Sequence, residues 1–180
     1  YDAGVDSVDD PQFDSKFEIP YAPIDFPFNV ALGNHDYGGC IFGTCGAGWE
    51  FGKSEYQISY SDQSDKWNLP SEYYSFEQEH VSFFALDTNA LMWDPWFGTG
   101  EGQGPWMEEA LDEALGEWKI AFGHHPYISN GRHGNAGEYE GLSWLSDLYI
   151  ADVPIGVGVE EFMEQYVCGQ IDVYFSGHDH

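Results

Sequence analysis

Short apolar runs separated by polar, glycine-rich stretches set the rhythm of this chain. Residues 28–32 (FNVAL) predict a buried strand that runs into a polar turn. Residues 56–60 (YQISY) alternate apolar and polar positions with period two, the pattern of a half-buried strand. Residues 72–88 predict two strands about a tight turn at 78–80. Pro105 suits the first turn of a helix. Trp106, Ala110 and Ala114, with Met107, Leu111 and Leu115, then recur on one broad helical face. Residues 117–122 predict a strand, 159–167 a helix with Val159, Phe162, Met163, Tyr166 and Val167 on one side, and 171–175 a last strand. The first 25 residues read as acidic loop with a short helix at 11–17, and 143–158 as a loop insertion. Strands and helices alternate with hairpins between them. That order predicts an α/β or α+β domain with sheet packed on helix. No repeat, linker or domain boundary is visible.

Composition narrows the picture. Aromatic residues make up 18% of the 180 positions, which argues for a packed globule over a disordered acidic chain. Thirty-two acids face five bases, for a formal charge of −27. Nucleic acid and anionic membrane surfaces are excluded as partners on that balance, because both are bound by Lys and Arg. The acids are dispersed, as on a solvated surface. At high salt the screening length falls to roughly 3 Å at 1 M and self-repulsion is relieved, so a saline source is expected. No apolar run approaches the ~20 residues of a membrane-spanning helix. Cys40 and Cys45 lie in a glycine-rich loop, GGCIFGTCGAG, where a local disulfide and half of a zinc site are both open readings. Cys168 falls in a helical pattern and is expected to be a buried thiol.

Three stretches share one design: NVALGNHD (29–36), KIAFGHH (119–125) and DVYFSGHDH (172–180). Each places an apolar strand before a glycine and then Asn or His. Glycine permits a sharp turn at the strand end, where α/β folds place their sites. Five of the seven histidines fall in these stretches, His133 follows in the next loop, and only His80 lies elsewhere, in a strand turn on the surface. A single histidine is usually structural, but convergence of three such strand ends is not. Imidazole nitrogens and an Asn carbonyl suit Zn²⁺, Mn²⁺ or iron, and a site of this size suits two ions.

The ordered set GNHD, GHHP and GHDH resembles the calcineurin-like metallophosphoesterases. FFALDTN (83–89) and WKIAFGHHPYISNGRHG (118–134) narrow the resemblance to purple acid phosphatases, especially their tartrate-resistant-like branch. The resemblance implies an α/β fold, a four-layer α/β/β/α metallophosphatase sandwich, expected here to be incomplete at both ends. Residues 1–180 would form part of one catalytic domain. A dinuclear centre is implied, Fe(III) with Fe(II), Zn(II) or Mn(II), hydrolysing a phosphate monoester through metal-bound hydroxide. By resemblance, Asn34, His124 and His178 bind the divalent ion and His180 the ferric ion. His35 serves the leaving group, supported by Asp36, and His133 meets the substrate phosphate. His125 stands where the family varies and is expected to pack. Tyr1 is either a frayed terminal residue or the ferric phenolate ligand. The bridging aspartate of the family pattern would precede Tyr1, so the chain is expected to be an internal fragment, inactive alone. Secretion or a periplasmic location follows from the family. Phosphodiester or nucleotide hydrolysis, or a non-catalytic secreted binding module, are the alternatives. Oligomeric state is not implied.

Overall fold

The computed structural model describes residues 1, 3–41, 44–139 and 156–179. They group into two compact units, Tyr1–Glu72 and Tyr73–His180, although no boundary is visible in the sequence.

In the first unit, Asp10 starts a short helix, α1 (Pro11–Phe13), by accepting the Gln12 N–H on its carboxylate at 2.9 Å. A π-helical turn, Asp14–Glu18, continues it through an i→i+5 bond from Ile19 to Asp14. This segment carries Phe13 and Phe17 into an aromatic core. Phe13 stacks on Tyr60 at 3.7 Å, and Trp67 meets both phenylalanines edge-on. Phe28–Asn29 (β1) pairs in parallel with Trp67–Asn68 (β4). Between them lie α2 (Asn34–Tyr37), the hairpin β2 (Cys40–Ile41) and β3 (Thr44–Cys45), and α3 (Lys53–Tyr60).

Two expectations change here. The strand expected over 28–32 is confined to Phe28–Asn29, although Leu32 is fully buried. Residues 56–60 belong to a helix, not a strand. Buried positions recur at Ser54, Gln57 and Tyr60, whereas Tyr56 is exposed. The alternation of apolar letters misled because the decisive buried residue is polar. Gln57 is fully buried; its side-chain amide donates to the Asp36 carbonyl at 2.9 Å, and its backbone carbonyl accepts from Trp67 Nε1 at 2.9 Å.

The second unit is built on a four-stranded sheet of order β5-β6-β7-β8: Tyr74–Gln78, Val81–Ala85, Trp118–Gly123 and Val173–Ser176. The expected hairpin β5–β6 is antiparallel, with Glu79 at φ 53° in its turn and His80 exposed beside it. The remaining pairs are parallel, in register Phe84↔Ala121↔Tyr174 and Ala85↔Phe122↔Phe175. One face buries Ser82, Phe84 and Ala121, while the other carries half-exposed Phe76, Phe83 and Phe122. The expected helices appear as α5 (Gln103–Glu113) and α6 (Val157–Phe162), the latter continued by a π-helical turn, Met163–Val167. Met107, Ala110 and Leu111 are buried as expected, but Leu115 lies past the helix end and is exposed. Cys168 is likewise exposed and not buried, because the helical turn ends at Val167 and Cys168 is extended. The loop insertion expected over 143–158 falls mostly outside the described residues.

A helix absent from the sequence reading, α4 (Thr88–Phe97), follows β6. Its first half, Thr88 to Trp93, is buried throughout, so no polar stripe marks it. Asp87 caps it, accepting from the Asn89 and Ala90 N–H groups at 3.1 and 3.0 Å. Gln103 locks that cap: its side chain exchanges two hydrogen bonds with the Asp87 backbone, at 2.8 and 3.1 Å. Pro95 has no N–H to offer the Leu91 carbonyl. Gly158 of α6 lies against that carbonyl so closely that a Cβ there would stand 2.3 Å from it.

Candidate metal centre

Parallel register brings the ends of β7 and β8 side by side. Gly123 pairs with Ser176, and the Gly177 N–H donates to the His124 carbonyl at 3.0 Å, one step beyond the strands. Histidines placed just after these positions must meet. His124 Nε2 lies 2.9 Å from His178 Nδ1. Two ring nitrogens sharing one hydrogen bond need one protonated partner. Two nitrogens facing one cation need none. Ligands at ~2.1 Å on one ion stand about 3.0 Å apart at an octahedral right angle and about 3.4 Å apart at a tetrahedral angle, so a ring-to-ring hydrogen bond of this length leaves the two nitrogens close to the spacing a shared metal needs.

His125 completes a cluster in which one ligating atom from each of His124, His125 and His178 lies within 4.8 Å of the others. His125 is fully buried. Thr88, delivered by the Asp87 cap, holds it twice: its hydroxyl accepts the His125 backbone N–H at 2.9 Å and meets Nδ1 at 2.9 Å. Nε2 has no hydrogen-bond partner among the described residues. Burial, and then the neighbouring His124, His178 and His133, hold the pKa of His125 well below the ordinary range, so its ring is neutral and metal-competent. The expected packing role agrees with its burial, but its unpaired nitrogen belongs to the cluster. Gly123 is required next to it. A Cβ there would stand 2.8 Å from Thr88 Cγ2 and 2.9 Å from the Tyr174 hydroxyl, which donates to the His125 carbonyl at 2.7 Å.

His178 has φ 68° and is bridged by a 2.8 Å bond from the Asp179 N–H to the Gly177 carbonyl, which makes it the centre of a γ-turn. Such a backbone costs of order 1–3 kcal/mol and persists only where the surroundings enforce it. Asp179 does so. Its carboxylate accepts from the Ser129 hydroxyl and, at 2.8 Å, from the His133 N–H. The Ser129 bond, with the His133 N–H and the nearby imidazoles, keeps that carboxyl below its ordinary pKa despite opposing desolvation. This bracing places the His133 ring 4.3 Å from that of His178, centre to centre. Thr88, Ser129 and Asp179 are the supporting residues that sequence reasoning missed. All three stand inside stretches that carry the family resemblance, but none is singled out there by its letter.

The other expected site residues lie in the first unit. Asn34 opens α2, and its Nδ2 donates to the Gly46 carbonyl at 2.5 Å. His35 is exposed, with its ring against Gly46. The carboxylate of Asp36 accepts from the Gly33 N–H at 2.8 Å and from the α-amino group of Tyr1 at 2.9 Å. Tyr1 packs its ring on Phe13 and Trp67, and its hydroxyl is buried with no hydrogen-bond partner among the described residues. Burial, then the charge of Asp36, raises its phenol pKa. His180 lies outside the described residues. Cys40 and Cys45 form a disulfide, which removes the zinc half-site reading.

Histidines at the ends of adjacent parallel strands form a cluster that could hold a metal ion, and the chain belongs to the calcineurin-like phosphoesterase family, whose sequence model matches residues 4–180. Within that family it is similar to purple acid phosphatase 4 of Arabidopsis thaliana, at 27% identity over all of this chain and 49% of that protein. It is also similar to tartrate-resistant acid phosphatase type 5 of Rattus norvegicus, at 28% identity over 74% of this chain and 43% of that protein. The chain thus spans about half the length of the curated relatives it matches. Among solved structures it resembles GAP50, described as the anchor in the inner membrane complex of Plasmodium, with a TM-score of 0.64 and 21% identity over 99% of this chain and 53% of that one. That likeness shows the fold alone, and it agrees with the expected α/β metallophosphatase class. Among the described residues, no helix is long and apolar enough to cross a membrane.

Proposed function

We propose that residues 1–180 are part of one catalytic domain that hydrolyses phosphate monoesters at a dinuclear centre, in the manner of an acid phosphatase. The observation that carries this reading is the 2.9 Å approach of His124 Nε2 and His178 Nδ1 beside the unpaired His125 Nε2. In the proposal, Asn34, His124 and His178 hold the divalent ion, Fe(II), Zn(II) or Mn(II). His180 and Tyr1 hold Fe(III). The two ions would neutralise phosphate charge and acidify a water at neutral pH.

The chain's own residues do the remaining work. His133, braced through its N–H by Asp179, receives the substrate phosphate. His35, next to Asn34 and exposed, protonates the departing oxygen. The His178 γ-turn fixes its imidazole without any movement at the moment of reaction. A formal charge of −27 repels a phosphate dianion at long range, so substrate binding requires the ions in place. The same charge is the ground for proposing no nucleic-acid and no membrane-surface partner. The Cys40–Cys45 disulfide supports an oxidising location, secreted or periplasmic.

A fold does not fix an activity, which leaves a second reading to be tested. On that reading the chain is a non-catalytic binding module. Metal analysis of the full-length protein, with turnover of p-nitrophenyl phosphate and bis-p-nitrophenyl phosphate, separates the cases. Two ions per chain and faster monoester cleavage are expected. Preference for the diester would move the reading to a phosphodiesterase, and neither metal nor turnover would leave the binding module.

A further inference from the structure

The hairpin after α2 is closed by the disulfide at its base, where Cys40 and Cys45 are register partners. The chain then doubles back on the residues that follow the Asn34–Tyr37 helix. Gly46 and Ala47 donate to the Gly39 carbonyl at 2.9 and 3.1 Å, and Gly48 donates to the Gly38 carbonyl at 2.7 Å. Gly38, Gly39, Gly46 and Gly48 all have positive φ. A two-residue-per-strand hairpin in so glycine-rich a segment is not stable by itself. The covalent link adds to these three backbone bonds in holding its return strand.

Gly46, the residue directly after Cys45, touches both candidate site residues. Its carbonyl can only accept, so the amide face of Asn34 that meets it at 2.5 Å must be Nδ2. Oδ1, the ligating atom, is thereby turned to the other side. A Cβ on Gly46 would stand 2.4 Å from Cε1, 2.5 Å from Nδ1 and 2.6 Å from Nε2 of His35, so the imidazole lies flat on a bare α-carbon.

We infer that the Cys40–Cys45 disulfide and Gly46 are positioning elements for the divalent-ion ligand Asn34 and for His35. The disulfide fixes the Gly46 carbonyl, the carbonyl orients the Asn34 amide, and the missing side chain seats the His35 ring. This inference rests on the proposed role of Asn34 as a ligand. Removing a partner that orients a ligand typically weakens metal binding about 10–100-fold.

The test is a Mn²⁺ titration of the full-length protein, followed by the signal of free Mn²⁺ in electron paramagnetic resonance. It is run on the parent, Asn34→Ala, the Cys40→Ser/Cys45→Ser pair, Gly46→Ala, and the latter two combined with Asn34→Ala. The cysteine pair and Gly46→Ala are each expected to weaken Mn²⁺ about 10–100-fold in the parent and to add nothing once Asn34 is gone. Equal weakening with and without Asn34 would mean a general loss of stability and would overturn the inference. Weakening by Asn34→Ala, with no effect of either loop variant, would overturn it while leaving the ligand reading intact. Unchanged affinity in Asn34→Ala would overturn both. Gly46→Ala keeps the disulfide and carries the same cycle should the cysteine pair fail to fold.

Discussion

Asn34 and His178 are proposed as ligands of one ion, yet the two units hold them by different means. His178 and its neighbour His124 stand at the ends of adjacent parallel strands, and the register Gly123↔Ser176 brings them together. Side chains then refine the pair: buried Thr88 under His125, and half-buried Asp179 braced by Ser129 and the His133 N–H. Asn34 opens a four-residue helix and is oriented by one carbonyl of a loop that a disulfide closes. The sheet-held half draws its precision from strand register and a set of side-chain hydrogen bonds, those of Thr88 with His125 fully buried. The loop-held half draws it from one covalent link and one glycine. Damage to the first should therefore appear as lost stability, and damage to the second as lost ligand geometry in a folded protein.

The largest effect on that contrast is expected from Thr88→Val. The change keeps the shape and deletes the hydroxyl that meets both the His125 N–H and Nδ1. Each buried group left unpaired costs about 1–3 kcal/mol, so urea denaturation should show a loss of several kcal/mol. A loss under 1 kcal/mol would mean that the sheet-held half is not secured this way.

Next comes a pair of glycines. Gly123→Ala would set a Cβ 2.8 Å from Thr88 Cγ2, and such overpacking costs about 1–3 kcal/mol. Gly52→Ala meets nothing within 4 Å at φ −63° and should fall within about 0.5 kcal/mol of the parent. Equal thermal shifts for the two would contradict the close packing assigned around His125.

A smaller effect than that of Gly123→Ala is expected in the first unit, at the start of α1. Asp10 caps α1, and although desolvation opposes it, the N–H groups of Asp6 and Gln12 hold its carboxyl below the ordinary pKa of 3.8. A depressed folded pKa contributes stability above the unfolded value and loses it as pH falls through the folded one. Asp10→Ala should cost about 1 kcal/mol near neutral pH, and the difference from the parent should shrink below pH 3.8. A difference that persists unchanged at low pH would remove the charge-based account of this cap.

How much of this was legible in the sequence follows the same divide. The strand–glycine–histidine pattern carried β7 and β8, because an apolar run ending in glycine is a local property of the chain; the register that brings His124 to His178 exists only once the strands pair. The α4 helix was not legible: its first half is buried all round and shows no amphipathic stripe. Residues 56–60 were misread because Gln57, a polar residue, occupies the buried position. Thr88 and Ser129 are unremarkable letters whose roles exist only once β6, β7 and β8 are side by side. The disulfide was left open against zinc, since two cysteines five apart serve either chemistry until the hairpin pairs them.

The most direct test of the central claim, that these strand-end histidines bind a divalent ion, is X-ray absorption at the zinc edge of the zinc-loaded full-length protein, compared with His178→Ala. The account predicts imidazole nitrogens at about 2.0–2.1 Å in the parent and a reduced imidazole contribution in the variant. A shell of oxygen ligands only, unchanged by loss of His178, would contradict it.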